Sequence, residues 1–175
     1  NFWARNRGPS DAPQRPFPNY TDEAVLVLGV ATGATREESD KWVVKAKDGV
    51  SYVLAWDPSG PNRAAGVAQK NFGIGVFPAT GVIDKAGKVV GGFVGFGAQT
   101  PVVLRGFLRD AGLAIAAEEQ PKAAAGAGPG PAAPLDNMPK IGAMAPDFMA
   151  LDAAGKPVKL ADFAGKIVVV DFWAT

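Results

Sequence analysis

The stretch KIVVVDFWAT, residues 166–175, carries the strongest structural signal in the chain. Four aliphatic residues follow one another from Ile167 to Val170, and two aromatic residues extend the apolar run past a single aspartate. A continuous apolar run of this kind, without polar alternation, is typical of a β-strand that is covered on both faces of a sheet. We therefore predict a central strand over residues 166–173.

The sequence upstream of this strand favours an α/β architecture. A predicted hairpin has its two arms at residues 147–151 and 156–160, around an Ala-Gly turn. Earlier in the chain, strand and helix patterns alternate, and Thr35 and Glu38 have the spacing of a capping box at a helix start. The predicted strands cover residues 24–31, 50–56, 75–83 and 88–96, and the predicted helices cover residues 35–47, 62–70 and 100–111.

Residues 118–139 form a boundary in the sequence. They read EEQPKAAAGAGPGPAAPLDNMP, which is almost entirely small residues and proline. Such a composition offers little to bury and is typical of a linker, whose r.m.s. span is roughly 25 Å for about twenty residues. We therefore divide the chain into residues 1–117, the linker and residues 140–175, and the last segment could fold onto its own chain or reach another.

Composition excludes several classes of function. The 175 residues include no Cys and no His, so thiolate and imidazole chemistry is ruled out, and no metal site or cofactor is expected. Eighteen basic residues balance seventeen acidic ones, without the basic run that nucleic-acid binding requires. The apolar runs are too short to cross a membrane, so this segment is not expected to insert into one.

Two parts of the chain resemble one family. The motifs KIGAMAPDF (140–148) and GKPVKL (155–160), followed by residues 166–175, are similar to the opening of TlpA/ResA-like thioredoxins in the redoxin (AhpC/TSA) family. FGIGV (72–76), FPAT (77–80) and VIDKAGKVV (82–90) resemble the second half of such a domain. The resemblance implies a thioredoxin-like α/β fold, with a central mixed sheet, helices on both faces, and the N-terminal redoxin hairpin placed at the C-terminal end of the chain.

The order of these segments allows two interpretations. Residues 2–4 (FWA) recur as residues 172–174, so the chain could be a stretch of a tandem thioredoxin-domain protein. Alternatively, residues 140–175 could supply the first strands that residues 1–117 lack, within one molecule or between two molecules.

The resemblance also implies where a functional site would lie. Matching the two FWA copies places Arg7, Gly8, Pro9 and Ser10 at the family's Cys-x-x-Cys positions, which makes this a degenerate redox site without a nucleophile. The motif at residues 77–78 matches the family's cis-proline loop, which binds extended peptides. We predict a peptide-binding site formed by Trp3, Val76, Phe77 and Pro78, with a purely structural role of the loop as the alternative.

Two functions are compatible with these features. One is a redox-inactive thioredoxin-like binding or scaffold module with a protein or peptide partner, capable of self-association by strand complementation. The other is a part of a TlpA/ResA-like thiol–disulfide oxidoreductase whose Cys-x-x-Cys motif follows Thr175, which leaves open whether the whole protein is an enzyme. The family resemblance implies a periplasmic or otherwise extracytoplasmic location.

Overall fold

A computed structural model describes residues 24–46, 52–95, 97, 100–115 and 138–174. In these ranges the chain forms a single mixed sheet of seven strands with three α-helices. The strands are β1 (Val25–Ala31), β2 (Val53–Trp56), β3 (Ala79–Ile83), β4 (Val89–Val94), β5 (Met149–Asp152), β6 (Pro157–Lys159) and β7 (Ile167–Trp173). The helices are α1 (Arg36–Ala46), α2 (Val67–Phe72) and α3 (Thr100–Asp110), and a short 3₁₀ helix covers Leu160–Phe163.

The sheet has the order β4-β3-β7-β1-β2-β5-β6. The parallel strands β7, β1 and β2 lie at its centre, while β3, β4, β5 and β6 each pair with their neighbours in antiparallel fashion. This arrangement is a mixed α/β fold of the thioredoxin-like redoxin type, as the resemblance implied. The predicted hairpin forms as β5 and β6, beside β2.

The central strand comes from the C-terminal segment of the same chain. β7 pairs along its whole length with β1, from Val25 opposite Ile167 to Ala31 opposite Trp173. On its other side β7 pairs with β3, from Ile83 opposite Val168 to Ala79 opposite Phe172. All seven residues of β7 are buried, which agrees with the continuous apolar run in the sequence.

The two faces of the sheet bury different sets of side chains. On one face, Val168, Val170 and Phe172 of β7 join a cluster that includes α2. On the opposite face, Ile167 and Val169 pack with the apolar side of α3. Successive residues of a strand point to opposite faces, so this alternation lets one strand serve both cores.

Glycines on β3 and on the edge strand β4 permit close contacts of other side chains with the sheet. A methyl group at Gly91 would overlap the ring of Phe107 on α3. A Cβ at Gly81 would lie 3.1 Å from the Cε of Met138, which is the first described residue after residue 115 and lies at the end of the linker. Gly92, which pairs with Gly81 across the two strands, leaves room for the same side chain, because a Cβ there would lie 2.6 Å from the Met138 Sδ.

The capping box predicted at the start of α1 is confirmed. The Glu38 side chain accepts hydrogen bonds of 2.8 Å from both the backbone N–H and the hydroxyl of Thr35, and the Glu38 N–H donates to that hydroxyl at 3.2 Å. The two hydrogen bonds from Thr35 lower the pKa of Glu38 below its ordinary value, and the bond from the backbone N–H has the larger effect. This reciprocal pairing satisfies amides that a helix start otherwise leaves without partners.

Two predicted elements begin well after their predicted first residues. The helix predicted over residues 62–70 consists of turns up to Ala65, and the regular helix begins only at Val67. The strand predicted over residues 75–83 begins at Ala79, because the preceding residues form an irregular loop that ends in a proline. In both cases the local apolar pattern of the sequence placed the predicted first residue too early in the chain.

Candidate peptide-binding site

The candidate site is the loop between α2 and β3. α2 ends at Gly73, which adopts a left-handed conformation with φ of 67°, and its N–H donates to the Gln69 carbonyl at 3.0 Å. The next amide, that of Ile74, donates to the Ala68 carbonyl at 2.9 Å. This pattern is a Schellman-type helix end, in which glycine avoids the Cβ penalty of positive φ. Because the Ile74 side chain is fully buried, the start of the loop is held against the core.

Val76 projects from this loop. Its side chain is 63% exposed, although it is aliphatic. Within the described part of the chain, neither Val76 nor Phe77 forms a hydrogen bond through its backbone N–H or C=O. The peptide bond between Phe77 and Pro78 is cis. With respect to the described residues, the loop therefore presents an apolar side chain beside backbone groups that are available to pair with another chain.

Contacts on both sides hold Phe77 and Pro78 in place. The Phe77 ring is partly buried against the core, and the Arg63 guanidinium carbon lies 5.6 Å from its centroid, within the range of a cation–π contact. The Pro78 carbonyl accepts a hydrogen bond of 2.7 Å from the Gly95 N–H, just beyond β4. The loop is thus anchored at Ile74 and at Pro78, with Val76 between these two points.

A buried carboxylate positions the helix that leads into the loop. Asp57, at the end of β2, is 1% exposed and accepts a hydrogen bond of 2.6 Å from the Val67 N–H at the start of α2. It also accepts hydrogen bonds from the Thr32 hydroxyl at 3.3 Å and from the Ser59 N–H and hydroxyl at 3.0 and 2.8 Å. Asp57 therefore ties β1, the following turn and α2 together, and it explains why regular helix begins at Val67.

A second polar group lies inside the sheet. Asp171 of β7 is 3% exposed, and it lies directly between Gly29 of β1 and Thr80 of β3 in the strand ladders. A Cβ at Gly29 would come within 2.9 Å of the Tyr52 ring, so the glycine makes room for that side chain. Burial, and to a smaller extent the charge of Asp171, raise the pKa of the Tyr52 hydroxyl above its ordinary value.

The structure places only part of the predicted site. Val76, Phe77 and Pro78 form the loop described above, whereas Trp3 and the four degenerate positions Arg7, Gly8, Pro9 and Ser10 lie outside the described residues. Among the described residues, no group of three or more His, Cys, Asp or Glu side chains could hold a metal ion. In those same ranges, no helix combines the length and apolarity needed to span a membrane.

The comparison with protein families gives one result. Residues 141–175 match the AhpC/TSA family. The matched segment contains the β5–β6 hairpin and the central strand β7, so the family signal and the buried centre of the sheet coincide. Together with the seven-stranded mixed sheet, this match supports a thioredoxin-like redoxin module. No curated protein and no solved structure matches the chain significantly.

Sequence reasoning missed two buried carboxyl groups. The predicted strand over residues 50–56 stops one residue before Asp57, and Asp171 entered the prediction only as the single aspartate within an apolar run. In both cases a signal was present, because Asp57 directly follows the predicted strand over residues 50–56 and Asp171 directly follows the apolar run over residues 167–170. A charged residue in such a position must find polar partners in the fold, and these partners come from distant parts of the sequence.

Proposed function

We propose that this protein is a redox-inactive thioredoxin-like binding or scaffold module that holds an extended peptide segment of a partner protein at the Val76–Pro78 loop. The observation that carries the proposal is the exposure of Val76 beside backbone groups that have no hydrogen-bond partner among the described residues, in a loop that is otherwise anchored to the core. An extended peptide placed here would gain main-chain hydrogen bonds and cover an apolar side chain, which is the mode of β-strand addition.

The absence of cysteine supports a binding role over thiol chemistry in this chain. Thiol–disulfide exchange requires a thiolate that attacks a disulfide sulfur, and the 175 residues contain no sulfhydryl group. Neither methionine thioethers nor the hydroxyl of Ser10 can replace that nucleophile at neutral pH without a base to activate it. Insulin reduction by dithiothreitol should therefore proceed at the same rate with and without this protein.

Binding at the loop can be tested with a defined probe. The reduced and alkylated B chain of insulin is a linear peptide without disulfides, and its addition to the ¹⁵N-labelled protein should shift the amide resonances of Val76 and Phe77. Val76→Asp should weaken binding by about tenfold, because it removes the apolar contact. Ile141→Asp makes the same type of change at another exposed aliphatic residue, and it should leave the affinity unchanged.

Two results would contradict the binding proposal. One is the absence of any amide shift at the loop at saturating peptide. The other is an equal loss of affinity in Val76→Asp and Ile141→Asp, which would indicate a general effect of added negative charge. Circular dichroism of both variants provides the check that they remain folded.

The proposed location and the mode of self-association have separate tests. An extracytoplasmic location is supported by the family resemblance alone, and fractionation of cells that express the natural gene, with markers for each compartment, tests it. Exchange of residues 140–175 between two copies is proposed from the linker and from the central place of β7. It predicts a dimer that forms after refolding at high protein concentration and is detected by light scattering.

A second candidate function is favoured by the family match itself. If the natural protein continues past Thr175 with Trp-Cys-x-x-Cys, the match over residues 141–175 would mark the first part of a catalytic redoxin domain. The parent protein would then be a thiol–disulfide oxidoreductase. Insulin reduction by the full natural protein, compared with a variant that has both cysteines replaced by serine, distinguishes this function from a purely binding role.

A further inference from the structure

Three segments of the chain meet at the edge of the sheet that β4 forms. The β3–β4 hairpin turn is the first, and there the Asp84 carboxylate accepts hydrogen bonds from the backbone amides of Ala86 and Lys88 at 2.9 and 2.8 Å. The second is the segment that follows Met138. The third is the turn before β7, where the Gly165 N–H donates to the Lys85 carbonyl at 3.2 Å.

The second segment pairs with the outer edge of β4. The Val89 N–H donates to the Ala143 carbonyl at 2.9 Å, and the Gly142 N–H donates to the Val89 carbonyl at 2.8 Å. Met144 forms an isolated antiparallel bridge with Lys88. Residues opposite each other in an antiparallel pair project to the same face, so the Met144 and Lys88 side chains leave the sheet together.

Two apolar side chains protrude at this edge. The Ala143 N–H closes a tight turn on the Lys140 carbonyl at 2.9 Å, and Ile141 occupies a corner of that turn. Ile141 is 75% exposed and Met144 is 64% exposed. Because they protrude from a backbone that is hydrogen-bonded to the sheet, they are suited to a flat partner surface more than to a peptide that needs a groove.

Four lysines lie in the three segments that meet at this edge. In the ranges that the structure describes, no lysine of this group forms an ion pair or a side-chain hydrogen bond, and the nearby Asp84 carboxylate is engaged by backbone amides. All four are exposed. We call this surface the lysine-rich edge, and it consists of Lys85, Lys88, Lys140, Ile141, Met144 and Lys166.

We propose that the lysine-rich edge adsorbs the protein onto membrane surfaces that contain anionic lipids. Each lysine near such a surface contributes about fivefold to the affinity, and the two protruding apolar side chains can enter the interfacial region. An acidic membrane complements both properties at once, since it offers negative headgroups above an apolar layer. Adsorption of this kind needs no membrane-spanning helix, and none is found in the described residues.

Vesicle sedimentation tests the proposal on the complete 175-residue chain. The protein should sediment with vesicles of phosphatidylcholine that contain phosphatidylglycerol, and it should stay in solution with phosphatidylcholine alone. Added salt should release it, because salt screens the lysine–headgroup attraction. Equal behaviour with the two vesicle types, or binding that is insensitive to salt, would overturn the proposal.

Matched variants locate the surface. Lys88→Gln and Lys140→Gln should each lower the partition coefficient about fivefold, whereas Lys156→Gln, on the hairpin at the opposite edge of the sheet, should not. Met144→Ser should also weaken binding, while Met149→Ser on β5 should not. If the control variants lose as much affinity as the edge variants, or if an acidic peptide binds this edge while vesicles do not, the assignment to membranes is wrong.

Discussion

The hydroxyl of Thr80 on β3 donates a hydrogen bond of 3.0 Å to the carboxyl group of Asp171 on β7. The two residues are opposite each other in the β3–β7 ladder, and they are 4% and 3% exposed. They come from opposite sides of the linker, 91 positions apart in the sequence. A polar bond inside the sheet thus joins the C-terminal segment to the rest of the fold.

Removal of the Thr80 hydroxyl should destabilise the folded protein. Thr80→Val keeps the shape of the side chain but removes the donor to Asp171, and we expect the free energy of unfolding to fall by about 1.5–3 kcal/mol. Urea denaturation measures this change. In an Asp171→Asn background the same substitution should have a different cost, because the two residues are energetically coupled. A cost below about 0.5 kcal/mol, the level of an ordinary surface substitution, would refute the role of this bond.

Two glycine-to-alanine substitutions should have opposite signs. Gly91→Ala places a methyl group where the Phe107 ring lies, so we expect a loss of about 1–3 kcal/mol from overpacking. Gly106→Ala lies inside α3, where a methyl group meets nothing within 4 Å, and it should stabilise the protein by about 0.8–1 kcal/mol. Thermal or urea unfolding compares the two variants. A stabilising Gly91→Ala would mean that Phe107 does not pack on this strand as described.

The raised pKa of Tyr52 should make the protein sensitive to alkali. In the unfolded chain this hydroxyl loses its proton near its ordinary pKa of 10.0, whereas the folded protein retains the proton to higher pH. Above the ordinary pKa, the folded state binds more protons than the unfolded state, so the free energy of unfolding falls as pH rises. Below it, Tyr52 makes no pH-dependent contribution.

The contribution of Tyr52 can be isolated by substitution. Urea denaturation between about pH 9 and pH 11 should show a shallower loss of stability in Tyr52→Phe than in the parent protein. Spectrophotometric titration in a Tyr20→Phe variant, in which Tyr52 is the remaining tyrosine, should place its ionisation above the ordinary value. If the free energy of unfolding falls equally steeply with pH in Tyr52→Phe and in the parent protein, the environment assigned to Tyr52 is wrong.

A cut in the linker should leave the two parts together. We expect a protease site inserted within residues 123–130 to be cleaved without loss of the folded complex, because β7 is buried between β1 and β3. Size-exclusion chromatography should show both fragments in one peak under native conditions and separated in urea. The same cleavable protein carrying Val169→Asp, which buries a charge in the fully buried strand, should separate more easily. The prediction is refuted if the two fragments of the cleaved protein without Val169→Asp separate under native conditions.

Much of the architecture could be predicted from local patterns. The apolar run at residues 166–173 predicted a strand that is buried throughout, and the run at residues 24–31 predicted a strand that is buried from Leu28 onward. The Thr35–Glu38 spacing predicted a helix start whose side-chain bonds are present. Such signals are readable because burial on one or two faces imposes a period on neighbouring residues. The predictions failed where a distant group decides the local structure, as when Asp57 determines the start of α2.

The amino-acid sequence by itself determined the element types, the presence of a strand covered on both faces, and the absence of thiol and imidazole chemistry. These properties follow from which side chains are present and from their spacing along a short stretch of chain. Only the tertiary structure decided that β7 lies between β1 and β3, that Asp171 meets Thr80, and that segments carrying scattered lysines meet at the β4 edge of the sheet. Strands pair through backbone groups that are the same for every residue, so the choice of neighbour depends on how the whole core packs.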